Sequence, residues 1–137
     1  VLSVIPRIFD HQGLTFAESD AVILTEDLRH RKRIMEAHAD AFLTLPGGPG
    51  TLDEFFETLT LRQLGLVQKP IVLFNFDHHF DGTLLQLRRM VDVGFAHEEI
   101  FQAFTVARTI EEIVLALNGV EARAPRIEDA STYERGD

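Results

Sequence analysis

The sequence predicts an α/β fold, a parallel sheet with helices on both faces. Short apolar runs rich in valine, isoleucine and leucine recur along the chain, as is typical of strands buried inside a sheet. Between these runs lie segments whose apolar residues follow the three- and four-residue spacing of one helical face. Because strands and helices alternate, the strands are expected to be parallel and joined by right-handed crossovers.

The predicted elements follow this alternation in chain order. Apolar runs predict strands at 2–5, 20–25, 41–45, 71–75 and, briefly, near 103–106. Helical spacing predicts helices at 27–39, 51–64, 82–93 and 109–118, and a loop is expected through Gly13. Residues 120–137 mix charges with Pro125 and Gly136 and show little periodicity, so a mobile tail is expected after one domain at 1–119.

Composition excludes several classes of protein. With 137 residues, 45% of them apolar, the chain is long enough for one domain; at this size folding buries roughly two-thirds of the unfolded surface. The absence of cysteine excludes a disulfide scaffold and suits the cytoplasm. No apolar run approaches the ~20 residues of a membrane span, and the net charge of −9 argues against nucleic-acid binding.

A glycine-rich loop at residues 46–54 is the most informative motif. It follows the apolar run at 41–45 and opens a helical segment, so a strand, a loop and a helix are expected in that order. Glycines let the backbone approach a ligand, and a helix N-terminus favours phosphate. The spacing matches neither the dinucleotide nor the Gly-Lys-Ser/Thr pattern. A purely structural alternative stays open, in which Thr51 and Glu54 form a capping box.

A basic helix precedes this loop. Leu28, Arg31 and Met35 recur at helical spacing, which puts Arg31 on the apolar stripe. A guanidinium is costly there unless it reaches solvent or an anion. The helix leads into the strand before the glycine loop, so Arg31 and Lys32 are expected to return toward Glu54. The alternative is a surface Arg-Lys pair on a solvated helix.

These residues resemble the LONELY GUY family of nucleotide phosphoribohydrolases, often mislabelled lysine decarboxylases. The resemblance rests on residues 28–32, Met35 and the loop at 46–54, and it continues through Thr60, 63–65, 69–70, 73–75 and 94–95. It implies a Rossmann-like nucleotide-binding domain and a homodimer. The implied reaction is hydrolysis of the N-glycosidic bond of a nucleoside 5′-monophosphate, such as AMP or a cytokinin riboside monophosphate. No metal or redox cofactor is implied.

The resemblance also implies roles for particular residues. The implied catalytic pair is Arg31 and Glu54, and the implied nucleotide contacts are Lys32, Gly47, Gly48, Gly50, Thr51 and Thr60. Cleavage of a ribosidic bond builds positive charge on the sugar, which a carboxylate can stabilise. Glu54 suits that role. Arg31 hardly gives up a proton, so it suits positioning better than acid catalysis.

The chain departs from the family pattern in several places. Arg29-His30 stands where the family usually has His-Glu, and Leu61-Arg62 where Trp-Ala is common. Residues 77–80, Asp-His-His-Phe, replace a loop of the Asp-Gly-Tyr-Tyr type. The family's N-terminal strands and a further glycine-rich motif are absent, so the chain is expected to be the C-terminal portion of a longer product.

Weaker features favour ordinary structural roles. His78 and His79 are interpreted as a loop pair without a metal. The stripe of Leu52, Phe55, Phe56 and Leu59 is interpreted as core or dimer surface. Two hypotheses remain, a phosphoribohydrolase and a non-catalytic nucleotide-binding or carrier protein of the same fold; the preferred base stays open in both.

Overall fold

The computed structural model describes residues 1–118, which form two compact units. Val1–Ala39 make the first unit, and the described residues from Asp40 onward make the second. Each unit contains parallel strands flanked by helices, which confirms the predicted α/β class. The tail expected at 120–137 lies outside the described residues. No helix within residues 1–118 is both long and apolar enough to cross a membrane.

The first unit is built on two parallel strands. Strand β1 (Leu2–Pro6) pairs with β2 (Ala21–Thr25) along its whole length, with Val4 opposite Ile23. A short helix, α1 (Arg7–Asp10), follows β1 directly, where only a loop was predicted. Helix α2 (Leu28–His38) packs against both strands and is capped by Asp27. The Asp27 carboxylate accepts the His30 N–H at 2.7 Å, and this bond lowers its pKa.

The second unit is a three-stranded parallel sheet with the order β3-β4-β5. Its strands are β3 (Phe42–Thr44), β4 (Ile71–Phe74) and β5 (Thr105–Ala107). Its helices are α3 (Pro49–Gln63), α4 (Asp81–Asp92) and α5 (Ile110–Leu117), with short 3₁₀ helices at Phe76–His78 and Glu98–Gln102. Neither 3₁₀ helix was predicted. The predicted strands and main helices of both units are confirmed, with ends that shift by one or two residues.

The core of the second unit confirms part of the predicted apolar stripe on α3. Phe55 and Leu59 are 1% and 2% exposed, and Leu52 and Phe56 pack against them from partly buried positions. Phe55 meets Phe104 edge to face, with ring centroids 5.4 Å apart. Burial of this cluster fixes the face of α3 that points to the sheet. The N-terminus of α3 therefore has a fixed place beside the end of β3.

Candidate functional site

The glycine loop joins the end of β3 to the start of α3, as the sequence predicts. The helix begins at Pro49, two residues earlier than expected, and Gly48 is its N-cap. Both Thr51 and Leu52 donate their N–H groups to Gly48 O, at 3.0 and 3.3 Å. Thr51 therefore lies inside the first turn and makes no capping bond. The capping-box alternative is wrong, because Thr51 is not the residue that precedes the helix.

Packing requires glycine at only one of the three loop positions. A Cβ on Gly47 would overlap Thr51 Oγ1 and would lie 3.0 Å from Thr51 Cβ. A Cβ on Gly48 or Gly50 would meet no atom of the described residues within 4 Å. None of the three has a positive φ. Backbone strain thus explains none of the three glycines and packing explains Gly47 alone, and glycine at the other two positions leaves the amides approachable by a ligand.

Glu54 lies one turn into α3. It is half-buried, and its spacing of three and four residues from Thr51 and Gly50 puts the three on one face of the helix. The Thr58 hydroxyl donates to Glu54 O at 2.8 Å. A carboxylate therefore stands beside the end of the helix that attracts anions.

Thr60 lies farther along the same helix. It is exposed, and its hydroxyl donates to Phe56 O at 2.7 Å. Nine residues of helix separate it from Thr51, which is roughly 14 Å at 1.5 Å per residue. A phosphate at the loop and a group on Thr60 would therefore be different parts of one ligand. Its predicted nucleotide contact stays a prediction.

The loop after β4 contacts the glycine loop, and this contact was not predicted from the sequence. His79 Nε2 lies 2.9 Å from Gly47 O and 3.2 Å from Gly47 N. The prediction of an ordinary loop pair gave His79 no partner. The one sequence feature that pointed to this loop was the departure of residues 77–80 from the family pattern. It marked the loop as unusual but did not indicate a contact with Gly47.

Asn75 organises this second loop from within. It is 2% exposed, its Oδ1 accepts the Phe80 N–H at 2.7 Å, and its Nδ2 donates to Asp81 Oδ1 at 2.7 Å. The bond from Asn75 is the largest effect that lowers the pKa of Asp81, and contacts with His78 and the charge of Arg108 act in the same direction. Asp81 is therefore held as a carboxylate.

Arg31 and Lys32 belong to the first unit. Arg31 is half-buried, and its Nε donates to Val4 O at 3.0 Å. With Leu28 and Met35 it lines an open groove of about 550 Å³, which agrees with its predicted place on the apolar stripe. Lys32 is also half-buried. The two cations and Glu54 lie in separate units, so their predicted convergence stays a prediction.

Most of the chain is similar to proteins of one family. A family model described as possible lysine decarboxylase matches residues 1–117. A probable cytokinin riboside 5′-monophosphate phosphoribohydrolase of Arabidopsis thaliana is 38% identical over 85% of this chain and 58% of its own length. Cytokinin riboside 5′-monophosphate phosphoribohydrolases of Mycobacterium tuberculosis and Mycobacterium marinum are 36% and 35% identical over 84% of this chain and 62% of theirs.

The chain thus spans about three fifths of the length of these relatives. The family model covers nearly all the described residues of both units. The chain belongs to the LONELY GUY family, which that model describes as possible lysine decarboxylases.

Proposed function

We propose that this chain supplies the phosphate loop and the catalytic carboxylate of a nucleoside 5′-monophosphate phosphoribohydrolase. The observation that carries the proposal is the glycine loop at the start of α3, with Glu54 one turn beyond it. The names of the relatives support the same reaction, since they are phosphoribohydrolases of cytokinin riboside 5′-monophosphates. The products would be the free base and ribose 5-phosphate.

The phosphate would bind at the first turn of α3. The first N–H groups of a helix have no partner within the helix, and the helix dipole adds partial positive charge there. Pro49 has no N–H and the Thr51 N–H already bonds Gly48 O, so the amides of Gly48 and Gly50 and the Thr51 hydroxyl would provide the hydrogen bonds. The phosphate does not react. Its binding energy would instead hold the ribose in a fixed orientation for the chemical step.

Glu54 would act on the sugar. As the glycosidic bond breaks, positive charge develops on the ribose, and a carboxylate stabilises that charge or orients the attacking water. Arg31 would position the phosphate, the leaving base or Glu54 itself, because a guanidinium is a poor proton donor. Lys32 would add positive charge for the phosphate, in a chain whose net charge of −9 repels anions at longer range.

Lysine decarboxylation is a poorer account of these residues. That reaction normally uses a Schiff-base lysine that holds a pyridoxal cofactor. The lysines of this chain are Lys32 and Lys69. Lys69 lies just before β4, where its carbonyl oxygen accepts a hydrogen bond from Arg62. Neither lysine stands in a recognisable cofactor motif.

A homodimer and a cytoplasmic location are part of the same proposal. The resemblance implies the homodimer, and the absence of cysteine from the sequence suits a reducing compartment. Light scattering of the purified protein tests the dimer directly. A mass of one chain at micromolar concentration would contradict it.

The test of the reaction compares Glu54→Gln with Asp53→Asn. The two acids are neighbours on α3, but Asp53 is exposed and has no proposed role. The longest product of the gene is incubated with AMP, N6-prenylated AMP and CMP, and free base is measured by chromatography. We expect loss of base release in Glu54→Gln with AMP affinity retained, and normal release in Asp53→Asn.

The outcomes separate the two hypotheses. Release that survives in Glu54→Gln contradicts the role of that carboxylate. A folded wild-type protein that binds AMP tightly and releases no base supports the alternative, a nucleotide-binding or carrier protein.

A further inference from the structure

His79 contacts the glycine loop, and the proposed reaction gives this residue no role. Its Nε2 faces both polar groups of one residue, Gly47, with the oxygen at 2.9 Å and the nitrogen at 3.2 Å. A single imidazole nitrogen either donates or accepts, according to the tautomer. In either state His79 therefore bonds the glycine loop, through Gly47 O or through Gly47 N–H.

His79 is itself held in place. Its ring meets Phe80 edge to face, with centroids 4.8 Å apart, and Phe80 is 1% exposed. The Phe80 N–H is bonded to the buried Asn75. The exposed imidazole thus rests on a buried side chain of the second unit.

The backbone of this loop reaches His79 through an uncommon conformation. Asp77 and His78 have φ values of 47° and 61°, in the left-handed region that few residues other than glycine adopt. The carboxylate of Asp81 contacts His78 Nδ1 at 3.0 Å and also accepts from Asn75. The Asn75 side chain, which also accepts the Phe80 N–H, holds the end of the turn next to His79, whereas the exposed His78–Asp81 pair contributes little.

Gly47 is then constrained on two sides. Thr51 leaves no room for a Cβ on one side of it, and His79 bonds its peptide groups. The next residue, Gly48, is the N-cap whose oxygen receives the first helix bonds. A shift of Gly47 would therefore move the backbone amides proposed to bind phosphate.

We propose that His79 is a positioning residue for the phosphate loop. It fixes Gly47 so that the amides at the start of α3 are already arranged for a phosphate, which lowers the ordering cost of binding. This inference rests on the proposed function, because it assigns the loop a phosphate ligand.

The decisive variant is His79→Phe, which keeps an aromatic ring against Phe80 and removes both ring nitrogens, including the Nε2 that contacts Gly47. His79→Gln is the conservative variant, since its amide both donates and accepts. His78→Asn is the matched control: His78 is a neighbouring exposed histidine, it bonds Asp81 and not the glycine loop, and asparagine tolerates its positive φ.

The first measurement, by NMR, does not depend on enzymatic activity. In ¹⁵N-labelled protein without ligand, His79→Phe should shift an amide signal of the glycine loop. The signal is that of Gly47 if His79 accepts the Gly47 N–H, and that of Gly48 if His79 donates to Gly47 O. The Gly48 amide reports because it belongs to the peptide group that contains Gly47 O. Gly65, whose N–H bonds Arg62 O at 3.1 Å, is a reference that should not move.

The second readout is ligand affinity. Loss of one hydrogen bond that orders the loop should weaken AMP binding and raise KM roughly threefold to tenfold, with kcat changed less than twofold. His79→Gln should restore most of the affinity, and His78→Asn should match the wild type. Inorganic phosphate is titrated in parallel, because weaker phosphate binding would locate the effect at the loop.

The outcomes keep this inference separate from the proposed reaction. If the wild type binds AMP without hydrolysing it, and His79→Phe weakens that binding, the reaction fails and the role of His79 stands. If the signals of Gly47 and Gly48 stay in place, or if His79→Phe binds AMP and phosphate as tightly as the wild type does, His79 does not position the loop.

Discussion

Substitution of Gly47 by alanine tests the packing at the start of α3. The new Cβ would overlap Thr51 Oγ1, and rotation of the Thr51 side chain about its Cα–Cβ bond would still leave Thr51 Cβ at 3.0 Å. Because Thr51 is fixed by its helix, the loop backbone must move by a few tenths of an ångström. Overpacking of this kind costs about 1–3 kcal/mol. For a chain of this size, that lowers Tm by roughly 3–12 °C.

Gly50→Ala is the matched control for stability. Its Cβ would meet no described atom within 4 Å, and the position is helical. Alanine is favoured over glycine in a helix by up to about 1 kcal/mol, so this variant should be slightly more stable than the wild type. The same chemical change is thus expected to have opposite signs at positions three residues apart.

Urea unfolding followed by circular dichroism measures both variants. The double variant of Gly47→Ala with Thr51→Ala removes Oγ1 and Cγ2, so it should recover part of the loss and give a favourable coupling in a double-mutant cycle. Equal stability of Gly47→Ala and wild type, or an equal loss in Gly50→Ala, would refute the packing argument.

Three further predictions concern the second unit. Phe55→Ala should lose about 3–5 kcal/mol in urea unfolding, because Phe55 is 1% exposed against Phe104; a loss below 1 kcal/mol would contradict its place in the core. Asn75→Leu should lose about 1–3 kcal/mol by leaving the buried Phe80 N–H unpaired, and exchange of that amide should accelerate. The pKa of Asp81 is lowered, so its contribution to stability is present above its ordinary pKa and is lost as pH falls through the lower folded value. Asp81→Asn should flatten that acid dependence, measured as the free energy of unfolding against pH.

The strands and long helices were predictable because their signals are local. A short apolar run with β-branched residues, such as β4, is typical of a strand inside a sheet, and the structure buries Ile71, Val72 and Leu73. The short helix α1 and the two 3₁₀ helices were missed because three to five residues are too few to show a helical period. The left-handed backbone conformation of Asp77 and His78 could not be predicted, because neither position carries the glycine that usually indicates it.

The capping box shows how the same pattern can succeed or fail. Thr109 and Glu112 form a close variant of it: Thr109 Oγ1 accepts the Glu112 N–H at 3.2 Å, and the Glu112 carboxylate accepts the N–H of Arg108, one residue before the cap, at 2.6 Å. Thr51 and Glu54 have the same spacing and do not. The difference lies upstream, because Pro49 already has the φ of a helix and starts α3 two residues before Thr51.

In the candidate site, too, the features formed by residues close in sequence could be predicted, and the contact between distant residues could not. The glycine loop could be predicted from the sequence because all of its residues lie within a stretch of nine, and a phosphate needs closely spaced amides. The contact from His79 crosses 32 residues, and no periodicity or spacing rule connects the two positions. Only the folded sheet brings the end of β4 beside the end of β3. Substitution of His79 should therefore change phosphate affinity through Gly47, although nothing in the loop at 77–80 resembles a phosphate motif.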